Sequence, residues 1–505
     1  MLAMARGLAA SGTAVIAFFV AAVLPTATWP LIDGDVWWHL RAGEEILATG
    51  AVPRVDTWSF TSFGTPWISQ DWLTNALMAA VRGTDPLGET VLSFAFGLVV
   101  VAAFAVLWRT IGVRDPTVRW ASRMVWLTLG LILAAPILGV RVQVIDLLLN
   151  AVVVWLLAHY VADRRRRWLV ALPVVAAVWA NLHAGWPMLF LLGGAWLVGE
   201  AIDHLWRRPL NAEPLSWVQL RDLAVALVVA FAALALNPNG IALWTYPLNA
   251  VGNAVIGRYI LEWFPVTADL RLFGLWAGFV LVAVLPTLAQ VRRGMRMADA
   301  LVVLGLTIMP VFGVRYLLLT GPLIAVIVAV NLAPQMALTR FGRWTAPMLD
   351  SLTVPREGRL LLVHLALAAG LVTLGVGVAL AHVVLPLQAR AEVGTFPVYA
   401  VQWLESEGIG ARAFNRYEWG GYLIHERPES LVFIDGRAQD VYSDELLTLY
   451  AAIISLQIDP QPVLDRYEID HVIFSPDSAF AAWLDASPGW ERAYADGLAA
   501  IWVRR

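Results

Sequence analysis

Apolar runs of about 17–25 residues recur along the whole chain, and no other feature constrains its fold as much. In lipid, every backbone N–H and C=O must find its partner within the segment, so such runs become helices. They fall near 8–28, 88–110, 119–139, 143–162, 168–183, 186–203, 221–237, 271–290, 298–314, 316–333 and 359–386. Only 14% of the 505 residues are charged, against about 25% in soluble domains. The expected fold is mainly α: a polytopic transmembrane helical bundle of about eleven spans. The first run carries Arg6 and resembles a signal peptide, but no small-residue cleavage site precedes the acidic stretch that follows. It reads as a retained span with a cytoplasmic N-terminus.

Several chemistries are excluded at once. The chain has no Cys and no Lys, so thiol nucleophiles, thiolate metal sites, a lysine Schiff base and a P-loop lysine are absent. A net charge of −3 without a long basic run gives no sign of nucleic acid. Arginine carries the basic charge, and it alternates by loop. Arg109 to Arg123, Arg164 to Arg167, Arg207 and Arg208, Arg292 to Arg296, and Arg340 to Arg359 occupy every second connection. Those connections belong in the cytoplasm of a bacterial plasma membrane.

The remaining loops face outward, and the unusual residues gather there. The first, about 31–86, is much the longest. It opens Asp33-Gly34-Asp35-Val36-Trp37-Trp38-His39-Leu40-Arg41, with a helix expected over 36–48 and the two indoles suited to headgroup depth. Residues 388–505 change character: they are charged, with short alternating runs. Leu431 to Ile434 and His471 to Phe474 read as strands, and 398–407 and 444–456 as helices. A transmembrane domain over 1–387 and a small extracytoplasmic α/β domain over 388–505 are therefore expected.

Asp33 and Asp35 form a DxD pair. On an extended segment their side chains point the same way and can share a divalent cation (Mg or Mn), or one can take a substrate proton. The plainer reading makes Asp33 a helix cap. Asp56 is a further oxygen ligand or a turn initiator, and Asp71 a ligand or the N-cap of a helix starting at Trp72. His39 and Arg41 stand beside the acidic pair as substrate contacts. Arg141 and Arg315 lie at outer membrane edges, where each grips a lipid phosphate or snorkels to headgroups; Gln143 shares the first of these turns. His183 is an interfacial side chain or a metal or phosphate contact. Glu262 between apolar neighbours needs a partner, either the substrate or Arg258 one turn earlier. In the tail domain Tyr417, Trp419, Tyr422, Asp435 and Arg437 either build the fold or line an acceptor-side groove.

The acidic first loop after span one, the many spans and the outward tail domain resemble the GT-C superfamily of membrane glycosyltransferases. These include oligosaccharyltransferase subunits and the protein O-mannosyltransferase and aminoarabinose-transferase relatives. Asp33 through Arg41, followed by Gly43 and Gly50, is similar to the first-loop pattern of the oligosaccharyltransferase group. Asn415 to Tyr422 with Asp435-Gly436-Arg437 is similar to the tail of uncharacterised bacterial members. The resemblance implies a polyprenyl-phosphate-linked sugar donor, inversion at the anomeric carbon, and Asp33 or Asp35 as base or metal ligand. It implies Arg315 or Arg141 on the departing phosphate. The WWDYG-type motif is absent, so the acceptor (saccharide, lipid or protein) stays open. Two other classes fit the composition: a transporter or flippase of lipid-linked saccharides, and a non-catalytic envelope assembly or binding protein. A transporter calls for polar groups at mid-membrane, where only Asp146 and Asn150 stand out.

Overall fold

The computed structural model describes residues 17–85, 87–206, 213–246, 260–337, 359–410 and 412–505, with 210, 255 and 257 singly. Arg6, Arg207, Arg208, Arg258, Arg340, Arg343 and Arg356 lie outside the described residues. The protein is mainly helical and of the multi-pass membrane type, and it divides into two compact units.

The first unit comprises 1–29, 94–237 and 262–382. Among the described residues, six helices of the chain are long and apolar enough to cross a membrane: Gly88–Arg114, Trp120–Ile137, Gln143–Asp163, Pro187–Trp206, Leu270–Arg293 and Val314–Leu332. Shorter apolar helices cover Phe18–Ala27, Arg167–Leu182, Met297–Val311 and Ala369–Val383. Helix Trp120–Ala134 packs on Leu317–Ala337, Arg167–Leu182 on Trp217–Ala233, and Pro187–Trp206 on Met297–Ile308. At the first crossing Gly130 and Gly321 bring the two backbones together, and a Cβ on Gly321 would stand 2.4 Å from the Gly130 carbonyl oxygen. Small residues serve this purpose where lipid removes any hydrophobic drive between helices. At one end of the bundle Arg114 pairs with Asp299 at 2.5 Å and Arg296 with the fully buried Glu200.

The second unit gathers 30–93, 238–261 and 383–505. Its sheet has five strands, β1 (Arg412–Asn415), β2 (Leu431–Val432), β3 (His471–Phe474), β4 (Trp490–Ala495) and β5 (Ala500–Arg504), in the order β2-β1-β3-β5-β4. β1 runs parallel to both β2 and β3, while β5 is antiparallel to β3 and β4. The strand expected over 431–434 is paired only at its first two residues. The long loop extends this sheet: Ser59 bridges to Val432, and Phe60 N–H donates to the Val432 carbonyl at 3.2 Å. Helix Gly34–Thr49 packs on Trp72–Arg82 and on Gly420–Glu426. Its two tryptophans are core residues of this unit. Trp37 meets Tyr422 and Phe396 edge-on, and Trp38 meets Trp67. The headgroup anchoring expected of them gives way to packing, because both sit on the face of the helix that the tail domain covers.

The centre of the unit is a charge cluster. Arg437, wholly buried, donates to Asp56 at 2.7 Å and to Asp435 at 2.6 and 2.8 Å, with its guanidinium over the rings of Trp58 and Trp67. The Ser59 hydroxyl donates to Asp56 and the Tyr442 hydroxyl to Asp435. Arg437→Met strands two buried carboxylates, a change that costs about 3–5 kcal/mol. The variant is expected to lose protease resistance across both 50–70 and 430–445 at temperatures where the wild type is intact, as read by limited proteolysis and mass mapping.

Candidate functional site

In the first unit, the residues that precede helix Gln143–Asp163, open helix Val314–Leu332 and lie ahead of helix Leu270–Arg293 meet at one end. There the loops bring together three of the residues singled out in the sequence. Arg141 donates to Glu262 at 2.5 Å, and Arg315 stands 3.9 Å from the other oxygen of the same carboxylate. The Arg315 guanidinium lies 4.9 Å over the Trp263 ring. Val314 N–H donates to the Phe264 carbonyl at 2.9 Å and so fixes the two segments to each other. All three charged side chains are about one quarter exposed. The two guanidiniums converge on one carboxylate, and this residue type can grip a phosphate through paired N–H groups.

One turn into helix Gln143–Asp163, Asp146 accepts from Trp179 Nε1 at 2.7 Å and holds His183 Nδ1 at 2.6 Å. A carboxylate on Nδ1 orients the ring and directs Nε2 away from it. The sequence marked His183 and separately noted Asp146 as a polar intrusion. Their partnership was hidden because the two lie on different helices. Gln143 is the first residue of its helix.

In the second unit Asp33 caps helix Gly34–Thr49, its Oδ1 accepting from Asp35 N–H at 2.9 Å. Asp35 lies inside the first turn, where its Oδ1 accepts from Trp38 Nε1 at 3.1 Å. That carboxylate is pressed against Gly436, where a Cβ would stand 1.7 Å from Oδ1, so a larger residue there would push the Asp35 side chain aside. The extended geometry expected of the DxD pair is thus replaced by a cap followed by a helical residue. Among the described residues no group of three or more His, Asp or Glu side chains is arranged to hold a metal ion. Among the described residues, Asp33 and Asp35 therefore do not belong to a cage of three or more side-chain ligands.

His39 is buried against Asn75 at 2.7 Å and Asp71 at 3.1 Å. Asp71 does flank helix Trp72–Arg82, but without a side-chain cap bond. Burial pushes His39 down, and the Asp71 carboxylate overrides it, so its pKa rises above 6.5. His425, held between Glu426 at 2.7 Å and Glu44 at 3.3 Å, is raised in the same way against its burial. Arg41 pairs with Glu45 on its own helix at 3.0 Å. Asp56, Asp435 and Arg437 form the buried cluster described above. Trp419 donates to the Thr395 carbonyl and Tyr422 to Glu392, both from buried positions. Tyr417 is the member of the tail group that is partly exposed and borders a cavity.

No protein-family model and no curated protein matches the chain. Solved structures do. The archaeal oligosaccharyltransferase AglB from Archaeoglobus fulgidus, in complex with an inhibitory peptide and a dolichol-phosphate, superposes with a TM-score of 0.61 at 10% identity, over 91% of this chain and 69% of that one. The Archaeoglobus fulgidus oligosaccharyltransferase in complex with Zn and sulfate gives 0.54 at 12%, over 91% and 68%. ArnT from Cupriavidus metallidurans, bound to undecaprenyl phosphate, gives 0.49 at 16%, over 97% and 96%. The structural neighbours are GT-C membrane glycosyltransferases. The chain shares the fold of the two oligosaccharyltransferase structures; of the eleven expected spans, six are long enough to cross a membrane and four more are shorter apolar helices among the described residues.

The two raised histidines carry a pH consequence. A raised folded pKa gives stability that is complete below 6.5 and is lost as pH climbs through the folded value. Thermal midpoints of the wild type are expected to fall from about pH 6 to about pH 9, and the fall should flatten in His39→Gln/His425→Gln.

Proposed function

We propose that this protein is a membrane glycosyltransferase that moves a sugar from a polyprenyl-phosphate-linked donor to an acceptor on the outer face of the membrane. The observation that carries this reading is the meeting of Arg141 and Arg315 on Glu262. A pair of arginines converging on one carboxylate at a helix end, each about one quarter exposed, suits the phosphate of a lipid carrier. As the glycosidic bond breaks, charge grows on that phosphate, and fixed guanidiniums stabilise the growing charge more than the ground state. Glu262 holds the two arginines apart until the phosphate arrives, and His183, its Nδ1–H given to Asp146, presents Nε2 as an acceptor at the same end of the unit.

The acceptor must lose a proton as its oxygen or nitrogen attacks the anomeric carbon. Asp33 or Asp35 of the first loop takes it in this reading. The acceptor stays with the sugar, the phosphate leaves with the lipid, and the configuration inverts. The arginine-rich connections at the opposite end of the helices support an outward site. Asp146, the residue that would favour a transporter, is engaged by His183 and Trp179.

Asparagine replacements separate charge from structure. Asn caps a helix as well as Asp does, and an amide oxygen can still accept from Trp38. Asp33→Asn and Asp35→Asn should therefore fold normally, with transfer from radiolabelled polyprenyl-phosphate sugars lowered about 10²- to 10⁴-fold in the variant that lacks the base. Arg315→Ala should weaken use of the donor about 10- to 100-fold, the value of one charge-assisted hydrogen bond. Normal transfer in both asparagine variants would remove the proposed base. Because the chain has no cysteine, single cysteines placed at Thr65 and Arg165 can be probed with an impermeant thiol reagent from outside; the first alone should label, and labelling of the second alone would overturn the orientation.

A further inference from the structure

Strand β1 is flanked by β2 on one side and β3 on the other, all three parallel. The chain leaves β1 for β2 in one direction and reaches β3 in the other, so the sheet has a switch point between β1 and β3. Open α/β sheets take ligands in the crevice beyond the carboxyl ends of strands at such a point. A cavity of ≈ 390 Å³ lies there, within the size range of small-ligand sites. Its edge is formed by Arg416, Tyr417 and Glu418, which directly follow β1, and by Ser475, Asp477 and Ser478, which follow β3. Leu447, Tyr450, Ala451 and Ile454, one face of helix Asp444–Ile454, supply a wall.

The chemistry of this lining selects a ligand class. Apolar and aromatic surface dominates the walls, with Tyr417, Tyr450 and Phe474 contributing rings. The Tyr450 hydroxyl is already engaged, accepting from Tyr417 N–H at 2.8 Å and donating to the Asn415 carbonyl at 3.3 Å, so its ring is held rigidly. Charges of both signs sit at the edge: Arg416 pairs with Glu418 at 2.9 Å, and Asp477 adds a second carboxylate. Two acids against one base disfavour a phosphate or nucleotide. At the N-terminus of helix Ala479–Ala486, Ser478 already takes one N–H, accepting from Ala481 at 3.0 Å, and donates to the Ser475 carbonyl at 2.9 Å. A purely apolar ligand would gain nothing from the paired charges. A neutral polyol ring uses both: its C–H faces pack on the aromatic wall, while vicinal hydroxyls donate to carboxylates and accept from a guanidinium.

We infer that the cavity at the β1/β3 switch point binds a neutral hexose-type saccharide, the acceptor glycan of the proposed transfer. Its identification as acceptor rests on the glycosyltransferase reading; the binding of sugar does not.

The test measures binding by the intact chain in a detergent without a sugar headgroup, using saturation-transfer NMR. The probes are the methyl glycosides of glucose, mannose and N-acetylglucosamine and their α- and β-linked disaccharides, with a neutral hydrophobic tripeptide as the competing class. The wild type is expected to bind at least one saccharide. Asp477→Ala and Ala451→Trp, which remove an acceptor and fill the cavity, should each weaken that binding at least 10-fold at an unchanged thermal midpoint. Arg416→Ala provides a second removal on the other strand if either variant melts early. Asp33→Asn and Asp35→Asn should bind the sugar normally. Absence of saccharide binding, binding untouched by all three cavity variants, or binding of the tripeptide instead would overturn the inference. Sugar binding lost in the cavity variants without transfer from any donor would uphold the pocket and remove the enzyme reading. Transfer with an unchanged acceptor KM in Ala451→Trp would do the reverse.

Discussion

The guanidinium of Arg437 is what the second unit is assembled around. It joins Asp56 of the long first loop to Asp435 of the tail, with neither carboxylate in contact with water. Burying three charges is costly, and only full satisfaction by hydrogen bonds and opposite charge makes it tolerable. Here each group is satisfied. Backbone N–H groups of Trp58 and Ser59 and the Ser59 hydroxyl serve Asp56, Tyr442 serves Asp435, and two indole faces close over the arginine. The strand extension at Ser59 and the close seat of Asp35 on Gly436 both lie within a few residues of this cluster. The geometry of the acidic stretch is therefore set from a part of the chain hundreds of residues away.

In the first unit the two ends of the helices differ in how they treat charge. At one end, Arg114 with Asp299 and Arg296 with Glu200 pair each arginine with a deeply buried acid, which makes structural links. At the other, one partly exposed carboxylate is divided between two arginines. The first two pairs lie deep in the packing, whereas the members of the second group are each about one quarter exposed.

Much of this was legible in the sequence. Apolar run length gave the helical membrane class, because lipid leaves backbone groups no alternative partner. The isolated Arg141, Glu262 and Arg315 were conspicuous because each violates the local rule for residues at that depth. The helices over 398–407 and from 444 followed from periodicity and polar boundaries. What could not be read was pairing at long range. Asp56 and Arg437 looked like separate candidates, whereas they form one buried ion pair. His183 and Asp146 are joined across two helices. Trp37 and Trp38 carry the composition of an interfacial belt, and only the covering helix Gly420–Glu426 turns them into core. The cavity beside Tyr417 depends on strand order, which local patterning does not encode.

The second unit is stitched from three stretches of chain, and Asp56 and Arg437 are separated by 381 positions. During synthesis the early segment emerges long before its partner exists. It must wait, with a carboxylate and the free edge at Ser59 to Phe60 uncovered, until the ribosome has delivered nearly every helix of the first unit. Contacts of such sequence separation fold late and leave intermediates open to misassembly. Maturation of the acidic stretch is thus coupled to completion of the polypeptide: a nascent or prematurely terminated chain can insert in the membrane without ever displaying a finished Asp33–Asp35 region.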